Sequence, residues 1–136
     1  IMLITTIPQY VQGLKNSKVD LTATSATVVY TAPAAADFNF SVVNSIIVSN
    51  DSGSADTITL TITGGGLTSA AAVSDYVFSL FQVKAVAANT SIELLTKDLI
   101  LQSGDILTAT AATANRLHVV ASIQELALHR TPQSAL

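Results

Sequence analysis

The sequence predicts an all-β fold: an antiparallel β-sandwich, jelly-roll-like in topology, with extended terminal arms. Short apolar runs alternate with Ser and Thr, and clusters of Ser, Gly, Asn and Asp separate these runs. About eight such runs follow one another at a spacing of roughly 8–12 residues, which is typical of sandwiches and jelly rolls. Helix signals are few, and only residues 69–75 favour a single helical turn.

The clearest predicted strand covers residues 56–63. Ile58, Leu60 and Ile62 fall at alternate positions, with threonines between them. Strict alternation predicts one buried face and one exposed face. Residues 50–54, Asn-Asp-Ser-Gly-Ser, precede this strand and predict a hairpin turn, because Asn and Gly tolerate positive φ angles.

Two further predicted strands carry apolar residues on both faces. In residues 40–50, alternation places Val42 with Ile46 and Val48 on one face and Val43 with Ile47 on the other. Residues 76–86 are apolar on both faces as well. A strand of that kind is either central in its sheet or enters an interface between chains.

Shorter patterns predict strands at residues 27–31, 92–94, 99–101, 106–110 and 116–126. In the last of these, the residues expected to face inward are Leu117, Val119, Ala121 and Ile123. The sandwich domain is therefore predicted to cover residues 19–127, between an N-terminal arm at 1–18 and a C-terminal tail at 128–136.

Charge is scarce in this chain. Of its 136 residues, 11% are charged and 49% are hydrophobic, and the net charge is −3. Nucleic acids and anionic lipids select basic surfaces, and no apolar run reaches the length of a membrane helix. We expect neither nucleic acid nor a membrane as a partner. Much of the surface must be neutral, or other protein chains must cover it, and covered surface is the interpretation we favour.

No arrangement of residues indicates catalysis. The chain has no cysteine, which excludes disulfides and thiolate metal ligands. Neither His118 nor His129 has a second ligand at metal-binding spacing. Glu93 and Glu125 give no reason to expect a glycosidase pair, and no serine lies in a nucleophile-elbow motif. We therefore expect no enzymatic activity, no cofactor and no metal.

A calcium site is the one metal hypothesis that needs weighing. Asp51 and Asp56 flank Ser and Gly residues, and hard cations prefer oxygen ligands. Aspartate is also an ordinary residue in a hairpin turn. We favour the turn interpretation.

The N-terminal arm is the predicted partner interface. Ile4, Ile7, Tyr10 and Val11 lie there, and Pro8 stands among them. Proline lacks a backbone N–H, so this segment belongs at a sheet edge or along another chain.

Two stretches resemble small structural proteins in the virions of tailed bacteriophages. One is SVVNSIIVSN at 41–50 followed by TITLTIT at 57–63; the other is LLTKDLILQSGDILTATAATANRLHVVASIQE at 94–125. The second contains the pattern of Leu99, Leu101, Gly104 and Asp105. The resemblance covers about residues 40–126.

The resemblance implies a capsid cement or decoration protein that stabilises a phage head by binding between capsid subunits. The implied partners are copies of the chain itself, with a trimer favoured, and the major capsid protein. Its implied location is the surface of the phage particle, after synthesis in the host cytoplasm. One alternative is a neck, tail or fibre module. A carbohydrate-binding sandwich is another, although an aromatic content of 5% offers few stacking platforms for sugars.

Overall fold

The computed structural model describes residues 9–34, 38–64 and 76–129. These ranges contain nine β-strands, which confirms the predicted all-β class. The strands are β1 (Gln9–Asp20), β2 (Thr27–Thr31), β3 (Phe38–Asn50), β4 (Asp56–Gly64), β5 (Tyr76–Val86), β6 (Thr90–Glu93), β7 (Leu99–Leu101), β8 (Ile106–Ala111) and β9 (Leu117–His129). The predicted helical turn at 69–75 lies outside the described residues. Within the described ranges, no helix has the length and apolar character that crossing a membrane requires.

The strands form two antiparallel sheets. Sheet A has the order β1-β9-β3-β6, and β7 also pairs with β3; sheet B has the order β2-β8-β4-β5. The chain passes repeatedly from one sheet to the other, and its first and last described strands lie side by side. This crossing pattern between two packed sheets is that of a jelly roll.

The core lies between the inner faces of the two sheets. The inward positions predicted for β4 and β9 are confirmed, because Ile58 and Leu60 are buried and so are alternate residues of β9. The largest fully buried side chains are Leu21, Ile46, Ile58, Leu60, Leu101, Leu107, Leu117 and Ile123. Their aliphatic character explains how the sandwich is stable without cysteine.

A β-bulge changes which side of β3 is buried. Val43 is fully buried in the first half of the strand, and Ile46 and Val48 are fully buried in the second half. The register with β9 shifts between Val43 and Ser45, and the extra residue reverses the alternation. The predicted placement of Val42 on the same face as Ile46 is therefore wrong, because strict alternation does not allow for an inserted residue.

β5 is the edge strand of sheet B, so it is not the central strand that its pattern allowed. It pairs with β4 along one side, and no described strand pairs with its other side. The register of this pair shifts twice, between Ile58 and Leu60 and between Leu60 and Thr61.

β1 occupies residues that the sequence assigned to the N-terminal arm. It pairs with β9 without interruption from Gln9 opposite His129 to Asp20 opposite His118. Residue 18 thus lies inside an edge strand, and β9 extends past residue 127. Lys15, Asn16 and Lys18 interrupt the apolar alternation of β1, and this is why its own pattern did not reveal the strand.

Candidate interaction surface

One cluster of hydrogen bonds joins the two sheets across the core. The hydroxyl of Tyr30 in β2 donates to the carboxylate of Glu125 in β9, and it lies 2.7 Å from the Ser41 hydroxyl of β3. Lys15 of β1 places its Nζ 3.4 Å from the same carboxylate. Burial raises the pKa of Tyr30, and the bond to Glu125 raises it further, so the hydroxyl stays protonated and keeps its donor role.

The strand pairing places the residues of this cluster in one cross-section through both sheets. Eight strands contribute one residue each to this cross-section, and the residues of neighbouring strands are paired directly opposite each other. These residues are Gly13, Glu125, Ser41 and Leu101 in sheet A, and Tyr30, Leu107, Ile62 and Phe78 in sheet B. This cross-section lies near one end of the sandwich.

Four of the eight large apolar side chains that are exposed in the described residues lie at this cross-section. Leu14 is 81% exposed, Val77 66%, Phe78 56% and Ile100 61%. Each of them belongs to the cross-section or is the chain neighbour of a residue in it. We call this part of the molecule the apolar end and define it by these four residues.

β5 contributes the largest share of exposed apolar surface. In addition to Val77 and Phe78, it exposes Leu80 and Val83, and Lys84 is its only charged residue. Phe78 lies opposite the half-buried Ile62, so Phe78 and its neighbour Val77 belong to opposite faces of the sheet. The Phe78 ring stacks on that of Tyr76 with centroids 5.2 Å apart. Both faces of this edge strand therefore present apolar groups to solvent.

The backbone of β5 is strained at Val83. This residue has a φ angle of 51°, which β-branched side chains rarely adopt, and its side chain is 57% exposed. Its N–H donates to the Thr59 hydroxyl at 3.0 Å. Apart from this hydrogen bond, the unfavourable conformation leaves an apolar side chain in solvent.

The opposite end of the sandwich is polar and closed by its own hydrogen bonds. Asn50 is buried at the start of the β3–β4 turn, where its amide donates to the carbonyls of Ser54 and Val86 at 2.9 and 3.2 Å. Its side-chain oxygen accepts bonds from the N–H and the hydroxyl of Ser52. We call this part, defined by Asn50, Ser52 and Asp56, the polar end.

Asp56 fastens the β8–β9 loop to the same end. Its carboxylate accepts bonds from the backbone N–H groups of Thr57 at 2.8 Å and Thr113 at 3.2 Å. Asp51, the other half of the calcium hypothesis, instead lies 4.0 Å from His118. In the part of the chain that the structure describes, no group of three His, Asp or Glu side chains is placed to hold a metal ion.

His118 lies on the outer face of β9, as its position in the sequence predicts. Its side chain is 40% exposed and lies 3.4 Å from the Asp20 carboxylate. A shallow depression of about 280 Å³ nearby is lined by Ser49, Asn50, Asp51, Asn89, Thr90 and Ser91. No aromatic ring lines it, so it lacks the stacking platform that a sugar-binding site normally has.

The two glutamates each serve the fold. Glu125 binds Tyr30, as described above. Glu93 accepts bonds from the Ser45 hydroxyl and from the N–H groups of Ile46 and Leu95, and so supports the bulge in β3. Partial burial of Glu93 alone would raise its pKa, but these three hydrogen bonds outweigh burial and hold the pKa below its ordinary value.

The predicted interface residues are only partly within the described chain. Ile4 and Ile7 lie outside the described residues. Tyr10 and Val11 lie in β1, opposite Leu128 and Ala127 of β9. Their role in an interface stays a prediction. The exposed residues of β5 were not among the predicted interface residues, although apolar groups on both faces of 76–86 were a usable signal.

Comparison with known proteins matches this chain to no family model and to no curated protein. Among solved structures, it is similar to the subunit of the Bacillus endospore appendages, a family of disulfide-linked pili. That similarity has a TM-score of 0.51 at 15% identity and covers 94% of this chain and 96% of the other, which shows a shared fold.

A weaker similarity links it to T=1 particles derived from infectious bursal disease virus. The TM-score is 0.39 at 11% identity, over 94% of this chain and 42% of the viral one. The chain thus spans less than half the length of the viral protein, and the score is too low to support an argument about function. The comparisons thus show that the fold of this chain is shared with a pilus subunit.

Proposed function

We propose that this chain is a non-enzymatic structural subunit that functions by assembling with copies of itself, specifically as a capsid cement or decoration protein of a phage-like virion. One observation carries the proposal. β5 is an edge strand of 11 residues that exposes Val77, Phe78, Leu80 and Val83. Stable monomers protect such edges with charges, proline or a covering segment.

The energetics favour a covered β5. Removing one large apolar side chain from water is worth about 1.5–3 kcal/mol. Lys84 is the only charged group on the strand, so covering it desolvates little charge. An interface on this strand therefore gains apolar burial at small electrostatic cost.

The assignment to a virion is supported by the sequence resemblance to phage structural proteins. Its two stretches correspond to β3–β4 and to β7–β9. The Gly104-Asp105 pair within it forms a tight turn: Gly104 has a φ of 85°, and Asp105 is buried and accepts the Gln102 N–H at 2.8 Å. We propose a homotrimer on the particle surface, with the major capsid protein as its further partner.

A second candidate is a filament subunit, and the fold shared with the pilus subunit favours it. This chain has no cysteine, so it cannot form the disulfide links of that pilus family. Its two longest edge strands, β1 and β5, belong to different sheets. Contacts between unlike surfaces of this kind generate open chains when they do not close into a ring.

Particle mass and shape distinguish these functions. We expect light scattering to give a mass that is a multiple of the 14.1 kDa chain. Electron microscopy then separates closed trimers, which support the cement function, from filaments, which support the second candidate. A chain that stays monomeric at micromolar concentrations contradicts both.

A further inference from the structure

We infer that residues 1–8 of one copy bind along β5 of a neighbouring copy. The inference rests on the proposed self-assembly and names the two surfaces that meet. One surface is the apolar edge strand β5, and the other is the uncharged apolar segment before β1.

β5 defines the chemistry of its occupant. From Val77 to Lys84 it offers eight residues of edge strand, exposed apolar groups on both faces and one positive charge at the far end. An occupant with its own lysines would repel Lys84, and one with many charges would lose hydration without finding partners. The fitting occupant is a short, extended, apolar segment without charge.

Residues 1–8 have this composition. The sequence Ile-Met-Leu-Ile-Thr-Thr-Ile-Pro contains five large apolar residues and no charged side chain. Pro8 cannot donate a ladder hydrogen bond, so it separates this segment from β1, which begins at Gln9. The β1 strand itself carries Lys15 and Lys18, which makes it a poor occupant of β5.

The β5 of the same chain lies too far away for this segment to cover it. β1 lies at the side of the sandwich where Ser17 bonds to Val29 of β2, whereas β5 is the opposite edge of sheet B. Crossing three strand spacings of about 4.8 Å and one intersheet gap of about 10 Å takes roughly 17 Å. At about 3.3 Å per residue, five of the eight residues would only bridge that distance. A neighbouring copy can place its β5 next to the segment directly.

Two complementary full-length variants test the inference. In the first, Ile4→Asp with Ile7→Asp damages the segment and leaves β5 intact. In the second, Val77→Thr with Phe78→Ser damages β5 and leaves the segment intact. Val28→Thr is the matched control, because Val28 is 54% exposed on β2, the other edge strand of sheet B. Thermal melts establish that each variant is folded.

We expect each double variant alone to lose assembly, with a dissociation constant raised at least about tenfold. An equal mixture of the two is expected to form a dimer with one copy of each, because one intact segment then meets one intact β5. The Val28→Thr control is expected to assemble like the parent chain. If the double variants assemble like the parent, or if the mixture stays monomeric, the inference is wrong.

A crosslink provides a second measurement that does not depend on loss of assembly. The chain has no cysteine of its own. Mixed under oxidising conditions, Ile4→Cys and Val77→Cys chains are expected to form a disulfide that joins one chain of each kind. A yield no higher than that from Ile4→Cys with Val28→Cys contradicts the inference. A parent chain that is monomeric contradicts the proposed function instead, so the two failures are distinguishable.

Discussion

The two ends of the sandwich have opposite designs. At the polar end, Asn50 makes four hydrogen bonds and Asp56 two, all to groups of the same chain. At the apolar end, Leu14, Val77, Phe78 and Ile100 are each more than half exposed. The polar end thus completes its own interactions. At the apolar end Tyr30, Ser41 and Glu125 also bond to one another, but four large apolar side chains stay exposed, and their burial is the largest favourable term in association.

This difference indicates where stability and assembly reside. Substitutions at the polar end should change the free energy of unfolding and leave association alone. Substitutions in β5 should do the reverse, because its exposed side chains contribute little to the fold. The following predictions separate the two effects.

The largest effect on stability is expected for Asn50→Ala. The substitution removes four hydrogen bonds around the β3–β4 turn and leaves the buried Val86 carbonyl without this donor. At about 1 kcal/mol per bond, the free energy of unfolding should fall by roughly 3–4 kcal/mol. Urea titration measures it. Asn44→Ala, at an exposed position, is the matched control and should stay within about 0.5 kcal/mol of the parent.

A smaller loss, about 1–2 kcal/mol, is expected for Tyr30→Phe, because Ser41 and Glu125 lose their shared partner. The pH dependence follows from the raised pKa of Tyr30. In the unfolded chain the pKa of tyrosine is about 10. The contribution of Tyr30 to the free energy of unfolding is therefore complete below that pH and declines as the pH rises above it. The stability difference between parent and Tyr30→Phe should therefore shrink in alkaline solution; a difference that grows contradicts the assignment.

Val83→Asn should act in the opposite direction on the two properties. Asparagine tolerates positive φ, whereas a β-branched residue there costs about 1 kcal/mol or more. The isolated chain should gain about 1 kcal/mol of stability, while assembly weakens because an exposed apolar group of β5 is lost. Val28→Asn, in the other edge strand, should bring no gain. Equal destabilisation by both substitutions would show that the positive φ is not a strain.

No effect is expected from removing metal ions: EDTA should leave the melting temperature unchanged. Both carboxylate oxygens of Asp56 already accept backbone N–H groups, so the turn needs no cation. A drop of several degrees that calcium restores would revive a site at Asp51 and Asp56.

Much of the fold was predictable from the sequence, because alternation is a local property. The bounds of β2, β5 and β7 and the inward residues of β4 and β9 follow from it. Two features do not follow. The bulge in β3 depends on the longer-range support of Glu93, and β1 is held by twelve paired positions with β9 rather than by its own pattern.

The sequence could predict that an interface exists but not which residues form it. Low charge and apolar groups on both faces of residues 76–86 indicated an interface, but strand order decides which residues stay exposed. Alternation alone could not place β5 at an edge, because edge position depends on the pairing of β4 with both β8 and β5. Four exposed residues at one cross-section are likewise a property of register between distant strands.

Sedimentation of the parent chain across a concentration series, beside Val77→Thr with Phe78→Ser, tests self-assembly most directly. We predict a homo-oligomer for the parent, a shift toward monomer for the β5 variant, and nearly equal unfolding free energies for the two monomeric chains. Val28→Thr should sediment like the parent. A parent chain that remains monomeric at micromolar concentrations, or a β5 variant that assembles as the parent does, would contradict the account.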